Sequence, residues 1–265
     1  VAGQRGARVL LVDHNAEPGR KILISGGGRC NFTNVHTAPD RFLSANPHFA
    51  KSALQRYTGA DFIALVDRHR IAWHEKTLGQ LFCDGSAMQV VDLLKHEMAR
   101  HGAALRLSTS VRAVAKEEGG FRVSLDTEDI ACASLVIATG GKSIPKMGAT
   151  GFAYDIAAQF GLSVITPRAA LVPFTLQPAQ LEQLAPLSGV SVDVRATCNK
   201  QSFDEAMLFT HRGLSGPAIL QISSYWGEGD EIELDLAPNL DLFAKLRAAR
   251  THHPRQSLQT ILAHT

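Results

Sequence analysis

The apolar positions along the chain fall into short runs with two different periods. Residues 9–12, in "GARVLLVDHN", form a continuous apolar run between Gly6 and Asp13, the pattern of a strand buried on both faces of a parallel sheet. Residues 1–5 then read as the end of a helix, with Gly6 at its C-terminal turn. Residues 47–70 carry a helical pattern broken near Gly59, and "GQLFCDG", residues 79–85, is a short strand running into a turn. The best-marked helix follows. Ser86 and Gln89 have capping-box spacing, Ala87, Val91, Leu94 and Met98 give one apolar face, and His101 and Gly102 close it. A strand is expected over 103–107, and "VRAVAKEEGGFRVSLD" is a hairpin turning at Glu118, Gly119 and Gly120. A second buried strand, 134–138, empties into glycines, and "TGFAYDIAAQFGLSVITP" reads as a helix and then a strand.

After Pro167 the pattern changes. Residues 170–236 show short β-like runs, prolines and no strong helical period, which suggests a small β domain inserted in the chain. From Asp241 onward the sequence looks helical, broken by Pro254. The expected organisation is an α/β domain over 1–166, an inserted β-barrel-like domain over 167–238, and the start of a helical subdomain over 239–265. The chain begins at Val1 without Met and stops at Thr265 inside helical sequence, so it reads as an internal piece of a longer protein.

Composition narrows the class. The 265 residues are 45% hydrophobic and 20% charged, which excludes a disordered chain and leaves room for a real core. No apolar run approaches a membrane span, and no signal pattern opens the chain. The net charge of +2 permits an anionic ligand or RNA without demanding one. Cys30, Cys83, Cys132 and Cys198 are spaced by about fifty residues or more, with no Cys-x-x-Cys pair, so a zinc site is not expected. Scattered thiols of this kind suggest a reducing cytoplasm.

The chemistry-bearing residues cluster in three places. Asp13 ends the first buried strand, where an acid accepts hydrogen bonds from ribose hydroxyls in dinucleotide-binding folds; alternatively it only starts a turn. The G-x-G-x-x-G fingerprint that should precede it is not in this chain. In "GRKILISGGGRCNFTN" the glycines Gly26, Gly27 and Gly28 would let backbone approach a flat or anionic ligand. Arg20, Lys21 and Arg29 add positive charge there, and Ser25, Cys30, Asn31 and Thr33 add small polar groups. A flexible surface loop is the competing reading, but "KILI" before it and "CNF" after it are core-like. Thr139, Gly140 and Gly141 follow the second strand at its C-terminal end, where ligands of open α/β sheets lie.

Together these residues resemble one family. "VLLVDHNAEPGRKILISGGGRCNFTN", "LVIATGGKSIPKMGATG", "ALVPFT" and "LFTHRGLSGPAILQIS" are similar, in order and almost end to end, to the BaiN/YhiN-type NAD(P)/FAD-dependent oxidoreductases. The resemblance implies a Rossmann-like FAD-binding domain with an inserted β-barrel and a helical subdomain. It also implies that the first strand with its phosphate-binding glycine turn, and a C-terminal return, lie outside this chain. On that reading Asp13 is the ribose-binding acid, and Arg20 and Lys21 lie along the cofactor. Ser25, Gly26, Gly27, Gly28, Arg29, Cys30 and Asn31 then form the loop at the flavin ring. Val111 would touch the adenine through its backbone, and Thr139, Gly140 and Gly141 would return beside the nucleotide end.

Flavin reduction of a carbon–carbon double bond needs a hydride and a proton, and a protein acid can supply the proton. Cys30 and Cys83 are candidate donors, each with the plainer alternative of a packed small residue. His211, in "FTHRGLSGP" beside Arg212, is a candidate substrate-binding or catalytic residue, with a hydrogen-bonded turn histidine as the alternative. The expected activity is that of an FAD-dependent oxidoreductase using NADH or NADPH. The resemblance implies two substrates, a uracil base of ribosomal RNA and a small steroid-like enone; a non-catalytic flavoprotein acting as a binding factor is the third reading. No DNA or membrane partner is implied, and the oligomeric state is left open.

Overall fold

The computed structural model describes residues 1–263, and the last two positions of the expected helical run, His264 and Thr265, lie outside the described residues. The chain divides into two compact units, residues 1–165 and the part from Thr166 onward.

The first unit runs β1 (Leu10–Val12), α1 (Arg20–Ile24), β2 (Asn31–Asn34), α2 (Lys51–Arg56), α3 (Gly59–Arg68), β3 (Trp73–Glu75), β4 (Gln80–Cys83), α4 (Met88–Arg100), β5 (Ala104–Arg106), β6 (Val111–Glu117), β7 (Gly120–Leu125), β8 (Asp129–Cys132) and α5 (Phe152–Gln159). β1 and β5 pair in parallel, with Leu10 opposite Ala104. Parallel pairing requires a crossover, and α4 enters β5 directly. β2, β4 and β3 form an antiparallel sheet in the order β2-β4-β3, and β6, β7 and β8 form a meander. The core of this unit is built from Cys30, Val66, Ile71, Cys83, Ala87, Val90 and Leu93, with Ile22, Phe32, Phe62 and Trp73 packed against it. It lies between α1, α3, α4 and the β2-β4-β3 sheet.

Local chemistry explains several boundaries. Thr58 and Asp61 form a reciprocal capping box that starts α3 and separates it from α2. At the start of α4, Ser86 Oγ accepts from the Met88 N–H (3.2 Å) and the Gln89 side chain accepts from the Ser86 N–H (3.2 Å). The buried face of that helix is Val90, Val91 and Leu93; Leu94, expected on it, is exposed.

Four expectations change. Residues 134–138 form no strand, and Val136 is 82% exposed. A strand needs a neighbour to satisfy its N–H and C=O groups, and this segment pairs with none of the described residues. Among the described residues β1 pairs with β5 alone, and Leu11 is exposed rather than buried on both faces. Residues 161–167, after α5, form no strand, and Ile165 is exposed. Residues 3–5 form a short 3-10 turn rather than an α-helix end, closed by Gly6 at φ 82° as expected.

The second unit contains β9 (Phe174–Thr175), α6 (Pro178–Leu184), β10 (Ser191–Cys198), β11 (Gln201–Thr210), β12 (Gly213–Ser215), α7 (Pro217–Ile222), β13 (Glu233–Asp235), α8 (Leu242–His252) and α9 (Leu258–Ala263). The strands order as β13-β10-β11-β12-β9. This is an open antiparallel sheet: the expected barrel closure would join β13 to β9, and no such pairing occurs among the described residues. Helix α7 covers one face, burying Ala218, Ile219 and Ile222 against Val194, Ala196, Cys198 and Met207. One helix fills the core of a small sheet, so closure is not needed to bury its apolar face. Helices α8 and α9 flank Pro254.

Candidate functional site

Two glycine-bearing loops stand at the two ends of α1. At the first end β1 delivers Asp13, whose N–H donates to the Arg106 carbonyl (2.9 Å) and whose carbonyl accepts from the Thr109 N–H (3.1 Å). Its Oδ1 accepts from the backbone N–H (2.9 Å) and side-chain amide (3.0 Å) of Asn15, an Asx turn. Asp13 therefore does start a turn, and its Oδ2 is left without a hydrogen-bond partner among the described residues. Asn15 Oδ1 in turn accepts from the Arg20 guanidinium (2.9 Å). Lys21 Nζ donates to Ser143 Oγ (3.0 Å), which ties α1 to the loop carrying Thr139, Gly140 and Gly141. Farther along that loop Gly148 presses so closely on the turn that a Cβ there would lie 2.7 Å from His14 Nε2. Asp13, Arg20, Lys21 and the second glycine loop are thus gathered into one patch. Val111 opens β6 two residues beyond Thr109, the residue bonded to Asp13.

At the other end of α1, about five residues or roughly 8 Å of helix away, sits the glycine triplet. Gly26, Gly27 and Gly28 have φ of 58°, 67° and 85°. Three consecutive left-handed residues are accessible without strain to glycine alone. A Cβ on Gly26 would lie 2.6 Å from Phe82 Cε1 and 2.8 Å from the Asn31 nitrogen, whereas one on Gly27 would meet nothing within 4 Å. The loop is pinned, not floppy: the Gly28 carbonyl accepts from the Ala87 N–H (2.7 Å) and the Arg29 carbonyl from the Cys83 N–H (3.0 Å). Ser25 Oγ donates to the Ile22 carbonyl (2.7 Å). The Arg29 side chain is exposed, with no partner among the described residues. This pinned backbone carries left-handed glycines with open space beside Gly27 and Gly28, room enough for a flat group to approach the backbone.

The two candidate thiols differ. Cys83 is fully buried in the core, and burial, with smaller contributions from Cys30 and Asp84, pushes its thiol up to about 11. Cys30 is also buried, but it lines an open cavity of about 320 Å³ together with Lys21, Ser25, Asn31, Phe32 and Phe62. Its backbone is left-handed as well, at φ 53°. Both thiols are free. His211 belongs to the second unit, where it and Arg212 form the exposed turn between β11 and β12. Thr210 Oγ1 accepts from the Arg212 and Gly213 N–H groups (3.2 and 3.1 Å) and holds that turn. The His211 ring makes no hydrogen bond among the described residues, so it is not the self-satisfied turn histidine of the plainer reading.

Sequence reasoning missed several residues. Asn15 is the hub joining Asp13 to Arg20, and its signal was an Asx pattern two residues after the acid. Ser143 anchors Lys21, and Phe82 forms the wall behind Gly26; neither carries a sequence signal. His74 Nδ1 pairs with Asp84 Oδ1 (2.6 Å), and the His74 ring stacks on Phe82. Among the described residues no group of three or more His, Cys, Asp or Glu could hold a metal ion, and no helix is long and apolar enough to cross a membrane.

The chain resembles known proteins over nearly its whole length. It is 56% identical over 264 residues to a ribosomal RNA dihydrouridine synthase of Escherichia coli (strain K12), covering 99% of this chain and 66% of that protein. It is 48% identical over 263 residues to a ribosomal RNA dihydrouridine synthase of Haemophilus influenzae, covering 97% of this chain and 65% of the relative. A 3-dehydro-bile acid delta(4,6)-reductase of Clostridium scindens matches at 26% over 261 residues, 93% of this chain and 62% of that protein. The chain thus spans just under two thirds of the length of these relatives. The family model described as the HI0933-like protein Rossmann domain matches residues 1–225. With its parallel β1–β5 pair, its acid at the strand end and that match, the chain belongs to the HI0933-like Rossmann-domain family.

Proposed function

We propose that the full-length protein is an FAD-dependent oxidoreductase, fed by NADH or NADPH, that reduces the C5=C6 bond of a uracil base in ribosomal RNA to give dihydrouridine. The observation that carries this is the 56% identity, over 99% of the chain, to a protein named for that reaction. The more distant bile acid reductase, at 26%, is named for reduction of an activated double bond in a small molecule. Reduction of such a bond is common to both names, and the difference in identity favours the RNA base. We take residues 1–166 as the cofactor domain, 167–238 as the inserted domain and 239–265 as the start of a helical subdomain.

The residues fit a flavin dinucleotide. The free Oδ2 of Asp13 is an acceptor for a ribose hydroxyl, and the Asx turn holds that carboxylate in place. Arg20 and Lys21 place positive charge beside the linking phosphates, and their bonds to Asn15 and Ser143 restrict both side chains. Gly27, with Gly26 braced on Phe82, admits the flat ring at the far end of α1. When bound, the flavin supplies hydride transfer. The reaction also needs one proton for the second carbon. Cys83 holds its proton at neutral pH but has no exposed surface. Cys30, at the cavity wall, is the thiol placed to give one up, and His211 would act in positioning the substrate.

The test uses the full-length protein. Its purified form should be yellow, release FAD on denaturation, and bleach anaerobically on adding NADPH or NADH. Ribosomal RNA from a deletion strain should lack a dihydrouridine that the wild-type gene restores, and C30A should restore it poorly. A colourless protein, or unchanged dihydrouridine in the deletion strain, overturns the reading.

A further inference from the structure

We propose that the cleft between the C-terminal end of α3 and the flank of α4 is a phosphate site that holds the backbone of the RNA substrate, with Arg70 as its principal contact; the choice of RNA rests on the function proposed above.

The argument begins with backbone geometry. Helix α3 ends in a complete Schellman motif: the Ile71 N–H donates to the Val66 carbonyl (3.3 Å) and the Arg70 N–H to the Asp67 carbonyl (2.8 Å). Ile71 and Val66, the pair whose apolar contact accompanies that motif, are both buried in the same core. Arg70 stands where glycine is the usual residue, and its φ is 55°. A side chain there strains the backbone. The two Schellman hydrogen bonds offset the left-handed backbone, but the guanidinium itself has no acceptor among the described residues.

Arg70 lines an open cleft of about 350 Å³ whose other polar walls are His69, Gln89, Asp92 and His96. The rings of His69 and His96 meet edge to face, with centroids 5.4 Å apart. His69 Nε2 is held by Glu97 Oε1 (2.9 Å), which fixes the pair in place. The His96 ring has no hydrogen-bond partner among the described residues. Gln89 uses its side-chain oxygen on the Ser86 N–H, so its amide nitrogen is an unused donor. The acidic wall is Asp92, and Lys95 Nζ stands 3.4 Å from it. Arg68 and Arg100 stand at the C-terminal ends of the same two helices, and Arg100 and the adjoining His101 face Glu97 (3.9 and 3.7 Å). A planar guanidinium, an amide and an imidazole lining one open cleft are donors suited to the oxygens of a phosphodiester, and the imidazole pair offers a face for a base.

The test uses the full-length flavin-loaded protein and a labelled 20-nucleotide single-stranded RNA containing uridine, with affinity measured across salt. R70A and R70G should both weaken binding about tenfold and reduce the salt slope by about 0.7. R70G should melt roughly 2 °C above R70A, since glycine relieves the left-handed backbone and alanine does not. R70K should recover part of the affinity. Uridine monophosphate and inorganic phosphate serve as competitors; competition by RNA alone assigns the site to a diester, and competition by all three assigns it to any phosphate. If R70A and R70G bind RNA with wild-type affinity and slope while dihydrouridine is still made, the site is wrong and the functional reading stands; Arg70 then serves the helix end alone. If the wild-type protein binds no RNA, both fall.

Discussion

Gly26 and Gly27 are adjacent, both left-handed and both exposed at the backbone, yet alanine should act differently at each. Either substitution places a side chain in the left-handed region, at a cost of about 1 kcal/mol. At Gly27 that is the whole structural cost, because the added methyl meets no protein atom within 4 Å. At Gly26 the methyl would stand 2.6 Å from the buried Phe82 ring and 2.8 Å from the Asn31 backbone nitrogen. The backbone atom cannot move without breaking the β2–β4 register, so overpacking adds about 1–3 kcal/mol. Melting should fall by about 2–4 °C for G27A and by about twice to four times that for G26A. The ligand response separates the readings further. A ligand that binds the folded state adds RT ln(1 + [L]/Kd), so a tenfold loss of affinity removes about 1.4 kcal/mol of that gain. If the triplet is the floor of a flavin ring, G27A should lose at least this much of the FAD-induced rise in melting temperature, despite its mild effect on the apoprotein. Differential scanning fluorimetry of full-length wild-type, G26A and G27A protein, with and without FAD, reads both quantities. A G27A protein with the full FAD-induced shift would refute the assignment of this loop to the ring, and equal destabilisation by the two variants would refute the packing argument.

Three further outcomes follow from the same geometry. D13N should keep the Asx turn through its remaining acceptor oxygen and melt within about 1 °C of wild type, yet bind FAD about tenfold more weakly; D13A should lose about 1 kcal/mol of stability besides. Equilibrium dialysis of FAD decides, and unchanged affinity in D13N would remove Asp13 from the site. Brief alkylation at pH 8 should label Cys132 first, since it alone of the four thiols is not buried; with its thiol near 11, Cys83 is ionised to about one part in a thousand at that pH. Peptide mass spectrometry showing Cys83 labelled as fast as Cys132 would contradict its burial. The His69 hydrogen bond holds the Glu97 carboxyl below its ordinary range; a depressed carboxylate stabilises the fold above the unfolded pKa and loses that contribution as pH falls through the folded value. E97Q should therefore be less stable than wild type at pH 7 and converge with it below about pH 4, and parallel melting curves from pH 7 to 3 would show the bond contributes nothing.

The sequence made local elements legible and long-range pairing much less so. The α2–α3 break, the β6–β7 hairpin and the helix at α4 all carry their own signals: a cap, a Gly-containing turn, a 3.6-residue period. The segment 134–138 carries an equally strong strand signal and forms none, because a strand's hydrogen bonds belong to its neighbour and the neighbour cannot be read from the run itself. The meander strand β8 went unnoticed for the converse reason; "DIAC" has little β character of its own, and β7 holds it in place. At the site the glycines and charged residues were visible as letters. Asn15, Ser143 and Phe82 were not, since each matters through a contact made across a turn or between distant segments. Asp13 is a turn residue through Oδ1, and its Oδ2, without a hydrogen-bond partner among the described residues, leaves room for the ribose contact proposed above.

Backbone strain connects the candidate site to the rest of the first unit. Left-handed non-glycine residues persist when the surrounding structure over-determines them, and they gather where a particular side chain or a particular path is required. Cys30, Ser108 and Ile144 have φ of 53°, 49° and 57°. Cys30 closes the glycine triplet and lines the cavity. Ser108 donates to the Asn15 carbonyl (2.9 Å), one residue before the Thr109 bond to Asp13. Ile144 adjoins Ser143, the anchor of Lys21. Each lies within one residue of a contact that fixes α1 or the loop at one of its ends. Cysteine at this position places a thiol where glycine would relieve the backbone, as Arg70 does with a guanidinium. Three of the five strained non-glycine positions of this unit thus lie beside the two ends of α1, Arg70 and Leu78 lying elsewhere, and α1 is the spacer between the Asp13 patch and the triplet.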